Sequence, residues 1–189
     1  HTHKGEWQHA WDFEVAGDQG FTYAGNGQVL EDFHAFGKPV IAPSAGFVEE
    51  VSDGLDDNEI GKMNLERNWG NTIIIRHADQ LYTKLSHLKK GSIRVKQGDY
   101  VKKGELVAQC GNTGRSPVPH IHFQVQSTPY IGSKTIEYPI SHYILHLNDH
   151  VELRSYSIPK TDELISNISK NSSLEKAFHF IPGQELMLN

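Results

Sequence analysis

Cysteine is nearly absent from this sequence, because Cys110 is the only one among 189 residues. A single thiol excludes an intramolecular disulfide framework. Cys110 stands in the apolar run LVAQC, which is typical of a small buried hydrophobic residue rather than a reactive thiol. The chain is still long enough to bury a hydrophobic core, and its length suits one full domain with a modest extension.

Two classes of protein are excluded by what the sequence lacks. No stretch approaches the roughly 20 consecutive apolar residues that a membrane-spanning helix needs, so we expect no membrane span. The 18 Lys and Arg residues are spread along a chain of formal net charge −5. They form no basic stripe of the kind that binds nucleic acid, so we expect no nucleic-acid partner.

Short apolar runs separated by Gly-rich turns make up most of the sequence up to residue 147. The segments NTIIIRHA and LYTKLSHL are typical of strands, and helical periodicity is rare. Residues 18–36 and 52–69 are polar and weakly patterned, so we expect long loops around a groove. The pattern predicts an all-β fold, a two-layer antiparallel β sandwich or roll.

The character of the sequence changes near residue 148. We therefore expect one domain of residues 1–147 and a C-terminal extension of residues 148–189. Within the extension, Leu164, Ile165 and Ile168 have helical spacing, and Thr161 is a candidate N-cap. This spacing predicts a short helix, and nothing in the extension indicates chemistry.

The segment PHIHF contains the first indication of chemistry. His120 and His122 are two residues apart in an alternating run, so their imidazoles should project from the same face as Gln124 and Gln126. Such a pair can bind one metal ion, or it can divide the roles of ligand and general base. Taken alone, the pair is also compatible with ordinary structural histidines.

Other candidate residues lie far from this pair in the sequence. Asp12 stands between two aromatic residues in HAWDFEV, with His9 and His3 upstream, and His87 ends LYTKLSHL. A catalytic zinc site commonly uses three protein ligands and leaves one position for water. A buried Asp12 would need a cation or several hydrogen-bond donors. Without further context, Asp12 and His87 are each better explained as surface residues.

Four blocks in the sequence, in this order, resemble the lysostaphin/LytM-type zinc metallopeptidases. The blocks are GKPVIAPSAGFV, WGNTIIIRH, LYTKLSHL and VKQGDYVKKGELVAQCGNTGRSPVPHIHFQV. The resemblance implies antiparallel β structure with a site in a groove, and one zinc ion as cofactor. It also implies an endopeptidase that acts outside the cytoplasm on peptidoglycan cross-bridges or stem peptides.

The resemblance assigns a role to each candidate in the core of the site. By resemblance, Asp12 and His122 are zinc ligands. His120 and His87 match the two histidines that deprotonate the attacking water and stabilise the transition state. Cleavage would then use a metal-activated water with His as general base.

The remaining ligand is where this sequence departs from the family pattern H-x-G-x-D. Gln8 and Ala10 hold the places of the His and the Gly. His3 begins an H-x-G triplet that extra residues separate from Asp12, so we expect His3 to be the ligand. His9 is the alternative, although on a regular strand it would face away from Asp12.

Two other functions remain in view. A LytM-like module that has lost ligands would bind or regulate cell-wall enzymes without catalysis. The segment VKQGDYVKKGELVAQC also resembles the hairpin of biotinyl or lipoyl carrier domains, but no tight turn presents a lysine for modification. The favoured function is the endopeptidase, acting as a monomer on a peptidoglycan peptide or another extended peptide. Which bond it cleaves is open.

Overall fold

A computed structural model of the protein describes residues 7–168. The chain divides after Glu137 into two compact units, the second of which begins at Tyr138. The expected boundary between residues 147 and 148 stays a prediction. Within residues 7–168, no helix has the length and hydropathy needed to cross a bilayer.

The regular secondary structure of the first unit consists of antiparallel strands joined by turns and long loops. In chain order the strands are β1 (Trp11–Phe13), β2 (Pro39–Ile41), β3 (Gly46–Ser52), β4 (Asn71–Ala78), β5 (Leu81–Leu88), β6 (Tyr100–Val101), β7 (Leu106–Gln109) and β8 (Ile121–Gln126). A 3₁₀ turn, Leu30–Asp32, interrupts the long loop between β1 and β2. The predicted all-β fold class is confirmed.

Two sheets enclose the core of this unit. The larger has the strand order β1-β8-β5-β4-β3-β6, and β2 pairs with β7 in the smaller. Ile73 and Ile75 of β4 pack in one apolar cluster with Val40 of β2 and Val107 of β7. Burial of such side chains is the main stabilising term of a fold like this, at about 1.5–3 kcal/mol each. The two layers are those that the alternating runs predicted.

Cys110 belongs to this core, as its apolar context predicted. Its side chain is buried, and the residue is 3 % exposed. Burial raises the pKa of the Cys110 thiol to about 12, with a smaller contribution from the charge of Asp57. A thiol of that pKa has almost no thiolate at neutral pH, so it is not a nucleophile there.

The position of β8 determines where the candidate residues meet. It lies between β1 and β5 in the large sheet. His122 therefore stands opposite Asp12 on one side and opposite Ser86 on the other. The side chains of His122 and Asp12 share one face of the sheet because directly opposed residues of an antiparallel pair project the same way.

The polar loop that precedes β8 is held firmly by its neighbours. The hydroxyl of Thr113 accepts a hydrogen bond from the backbone N–H of Asn71 and donates one to the Leu88 carbonyl, both at 2.9 Å. The side-chain amide of Asn58, from the expected long loop of residues 52–69, donates to the carbonyls of Gly114 and Ser116. The expected loop is present, and it braces the approach to β8.

The second unit contains β9 (Ile140–His146), β10 (Val151–Ser157) and β11 (Leu164–Ser166), in the sheet order β10-β9-β11. The predicted helix is wrong at its start, because Leu164 and Ile165 belong to β11 and pair with His146 and Leu145. Pairing with β9 satisfies the backbone of this segment, and that tertiary contact overrides a weak helical spacing. The residues named for that helix, from Thr161 to Ile168, all lie within the described range.

Close packing between the WGN segment and the loop before β8 is testable. Gly70 has φ +64°, and a Cβ there would overlap the backbone carbonyl of Thr113, whereas Gly91 has φ +66° and open space around it. We expect Gly91→Ala to lower the free energy of unfolding by about 1 kcal/mol through the left-handed backbone alone. Gly70→Ala should cost about 3 kcal/mol, because backbone must also move. Equal losses in urea denaturation would contradict this packing.

Candidate metal centre

The structure brings Asp12 and His122 into direct contact at the centre of the site. Oδ1 of Asp12 lies 2.9 Å from Nδ1 of His122, and the imidazole is buried. Zinc bonds of about 2.0–2.2 Å at tetrahedral angles put two ligand atoms about 3.4 Å apart. A small opening of the pair would therefore admit an ion, and a carboxylate with an imidazole is a donor set that suits zinc.

His120 and His87 complete the cluster. Nε2 of His120 lies 3.7 Å from Oδ1 of Asp12. The ring of His87 lies 4.7 Å from the ring of His120 and 5.9 Å from that of His122, measured between centroids. Residues from β1, β5 and β8 thus meet at one point, and all four of the predicted central residues are gathered there.

Backbone carbonyls fix the proton on two of these rings. Nδ1 of His87 lies 2.7 Å from the carbonyl oxygen of Thr113, and Nδ1 of His120 lies 2.8 Å from that of Val118. The hydroxyl of Ser116 is also 3.1 Å from Nδ1 of His120. Since a carbonyl only accepts hydrogen bonds, Nδ1 is the donor in each ring. Nε2 of each neutral ring is then a proton acceptor.

A β-bulge directs His87 into the site. In the β4–β5 pair, Asn71 stands opposite Leu88 while Ile73 stands opposite Leu85, so β5 has one extra residue at this point. His87 adopts φ +64°, which is unusual for a residue with a side chain. Strand alternation would otherwise send His87 to the face opposite Ser86. The bulge changes that direction and lets consecutive residues approach the same site.

The surroundings keep His87 neutral. Burial is the main cause that lowers the pKa of His87 well below its ordinary value, and positive charge on His120 or His122 would lower it further. A neutral imidazole is the form that can accept a proton.

Trp69 forms a wall of the cluster that sequence reasoning missed. Its ring meets the His122 ring edge-on at 5.2 Å between centroids. Nζ of the buried Lys84 lies 2.8 Å from the Trp69 ring centroid, and Trp7 contacts the same indole. Trp69 begins the block WGNTIIIRH, in which the sequence indicated a strand and the family resemblance but no role for the tryptophan. The indole shields one side of His122 from water.

The two candidates for the remaining ligand have different outcomes. His9 lies in a turn, in which the backbone N–H of Ala10 donates to the carbonyl of Trp7. Strand geometry therefore does not apply to His9, because β1 begins only at Trp11. Nδ1 of His9 lies 3.9 Å from the Glu137 carboxylate. Within residues 7–168, no three His, Cys, Asp or Glu side chains are arranged to hold a metal ion.

His3 lies outside the described residues, and its role stays a prediction. The donor set formed by Asp12 and His122 needs at least one more protein ligand to match a catalytic zinc site. The described residues thus fit two of the three expected ligands.

The central part of this chain matches a known protein family. The model of Peptidase family M23 matches residues 27–134, more than half of the chain. The chain belongs to peptidase family M23. The match includes His87, His120 and His122 and begins after Asp12, so the partner strand β1 lies beyond the matched stretch.

M23 relatives with curated descriptions align with about half of the chain. An uncharacterized metalloprotease of Haemophilus influenzae is 40% identical over 88 residues, which is 47% of this chain and 16% of that protein. The peptidoglycan DD-endopeptidase ShyC of Vibrio cholerae is 30% identical over 104 residues, covering 54% and 23%. This chain therefore spans less than a quarter of the length of either relative.

A solved structure of an antimicrobial peptidase is also similar. The catalytic domain of lysostaphin from Staphylococcus simulans has 28% sequence identity and a TM-score of 0.42, and the match covers 62% of this chain and 86% of that one.

The left-handed backbone at His87 predicts an unusual ranking of variants. His87→Gly and His87→Ala both remove the imidazole, but only glycine adopts φ near +64° without a steric penalty. We expect His87→Gly to be more stable than His87→Ala by about 1 kcal/mol in urea denaturation. At an ordinary strand position the glycine variant would be the less stable one. A lower stability of His87→Gly than of His87→Ala would therefore contradict the left-handed backbone at His87.

Proposed function

We propose that this chain is a zinc-dependent endopeptidase that cleaves peptide bonds in bacterial peptidoglycan. The observation that carries the proposal is the contact of 2.9 Å between Asp12 Oδ1 and His122 Nδ1, with two further imidazoles beside it. Membership of family M23 and similarity to a peptidoglycan DD-endopeptidase support the substrate class.

In this proposal Asp12, His122 and His3 hold the ion. His3 is preferred to His9 because the His9 ring lies beside Glu137. Zinc, when bound, supplies a Lewis acid that polarises the scissile carbonyl and lowers the pKa of a water molecule towards 7.

His120 is the general base of the proposed reaction. Its Nε2 is the proton acceptor, because Nδ1–H is held by the Val118 carbonyl, and Nε2 is close to the Asp12 carboxylate. His120 takes a proton from the attacking water at Nε2 and can return it to the leaving amine. The bond from Nδ1–H to Val118 strengthens when the ring becomes positive, which stabilises that state.

His87 has a separate role in the proposal. Its ring is held by the Thr113 carbonyl and lies against the His120 ring. From that position Nε2 of His87 can accept a proton during the reaction. The resulting Nε2–H can then donate to the negative charge that develops on the scissile carbonyl oxygen. The strained bulge is consistent with such a role, because local strain is concentrated at functional sites.

A peptidoglycan substrate requires that the enzyme works outside the cytoplasm, so we propose a periplasmic, cell-envelope or secreted location. The described residues do not determine which peptide bond of the substrate is cleaved. A monomer is sufficient for the proposed mechanism, since every group it uses comes from one chain.

Substitution of the two histidines of PHIHF should separate catalysis from metal binding. We expect His120→Ala to retain zinc but to lose about 10²–10⁴-fold in the rate of cleavage, the usual contribution of a general base. His122→Ala should lose zinc itself. Bound zinc is measured by elemental mass spectrometry, and cleavage by mass spectrometry of the fragments released from purified peptidoglycan, with and without EDTA.

His142→Ala is the matched control, because His142 lies on β9 and hydrogen-bonds Ser155. It should keep both zinc and activity. Full turnover by His120→Ala would contradict the mechanism. A wild-type protein that binds peptidoglycan without zinc and without cleavage would favour the non-catalytic module instead.

A further inference from the structure

A chain of buried side-chain amides runs from His122 along β8. Nε2 of His122 lies 2.9 Å from Oε1 of Gln124. Nε2 of Gln124 donates to Oε1 of Gln126 at 2.7 Å. Nε2 of Gln126 then donates to the backbone carbonyls of Thr128 and Tyr130, at 2.7 and 3.1 Å. This row of hydrogen bonds therefore begins at a predicted zinc ligand and ends on backbone carbonyls.

Strand alternation explains why these three residues form a line. His122, Gln124 and Gln126 are successive members of one face of β8. Gln124 is 1 % exposed and Gln126 is 0 % exposed. Buried amides without partners are costly, so such groups occur mainly in networks that satisfy them. Both amides satisfy each other and the ring of His122.

The far end of the chain determines its direction. The carbonyls of Thr128 and Tyr130 can only accept hydrogen bonds, so Gln126 must present its NH₂ group to them. Oε1 of Gln126 then faces Gln124, so the NH₂ group of Gln124 must donate to it. Oε1 of Gln124 is thereby turned towards His122. A flip of either amide would place oxygen against oxygen in a buried site.

We propose that Gln124 and Gln126 are positioning residues that hold a proton on Nε2 of His122 and so reserve Nδ1 for the metal ion. This inference rests on the proposed function, in which His122 is a zinc ligand. Nδ1 is also the nitrogen that faces Oδ1 of Asp12. Hydrogen bonds from the second nitrogen of a ligating histidine fix its orientation and raise its basicity.

The direct test is the protonation of His122 in the full-length protein. Side-chain ¹H–¹⁵N spectra of protein with ¹⁵N-labelled histidine report which ring nitrogen carries a proton. We expect Nε2 of His122 to carry one in the zinc-loaded protein at pH 8, because the metal ion then occupies Nδ1 and Oε1 of Gln124 accepts from Nε2. An Nε2 without a proton in the zinc-loaded protein would overturn the inference, and this measurement needs no variant.

Variants at Gln124 and Gln126 test whether this row of hydrogen bonds affects zinc binding. Gln124→Met removes the acceptor at His122, and Gln126→Met removes the anchor while Gln124 remains. We expect each to weaken zinc binding by about 10–100-fold, as loss of an outer hydrogen bond to a ligand does. Gln124→Glu keeps an acceptor for Nε2–H of His122, so it should bind zinc more tightly than Gln124→Met. Its second oxygen faces Oε1 of Gln126, so we also expect a loss of stability in urea denaturation. Zinc affinity is measured by competition with a chromophoric chelator, without substrate.

Thr83→Val is the matched control. Thr83 lies on the neighbouring strand β5 and its hydroxyl bonds Nε2 of His77 at 2.8 Å, so the variant removes a comparable hydrogen bond to another histidine. It should leave zinc affinity unchanged. Unchanged affinity in both Met variants would overturn the role of this row of hydrogen bonds while leaving the zinc site intact. A wild-type protein without measurable zinc affinity would instead refute the proposed function.

Discussion

The site depends on the pairing of β1 with β8. These strands are far apart in the chain, yet their antiparallel register puts Asp12 directly opposite His122. Directly opposed residues have Cβ atoms only about 4.5–5.5 Å apart and on one face, which brings a carboxylate and an imidazole into contact. The core under the sheet stabilises this register, because a slip by one residue would turn His122 away from Asp12.

A second constraint acts on the protons of the site. His87 and His120 each donate through Nδ1 to a backbone carbonyl. His122 faces the opposite way, with Nδ1 towards Asp12 and Nε2 towards Gln124. Backbone carbonyls hold His87 and His120, and side chains hold His122, so that two proton acceptors and the proposed ligand nitrogen lie around a shared point. Groups that are arranged before the substrate arrives need no reorganisation during the reaction.

Much of this could be predicted from the sequence. The period-two alternation of HIHFQVQ indicated a shared face for His122 and Gln124, and motif order indicated Asp12 as a partner. The direction of His87 could not be predicted, since it depends on a bulge that alternation does not encode. The strand at Leu164–Ser166 was missed for a related reason, because its pairing with β9 is a tertiary contact that local spacing does not contain.

The hydrogen-bond partners were also beyond the sequence. The carbonyls of Thr113 and Val118 act through their backbone, so residue identity says nothing about them. The start of β1 at Trp11 likewise depends on pairing with Phe123, which removed the basis of the strand argument for His9. Local patterns predicted which side chains are chemically able, and the fold determines which of them meet.

The most direct test of the account is a crystal structure of the zinc-loaded protein with anomalous diffraction data on both sides of the zinc absorption edge. We expect one zinc peak bonded to Asp12 Oδ1, His122 Nδ1 and His3, with Nε2 of His87 and His120 close by but not bonded. The absence of a zinc peak, or a peak bonded to Nε2 of His87 or His120, would contradict it.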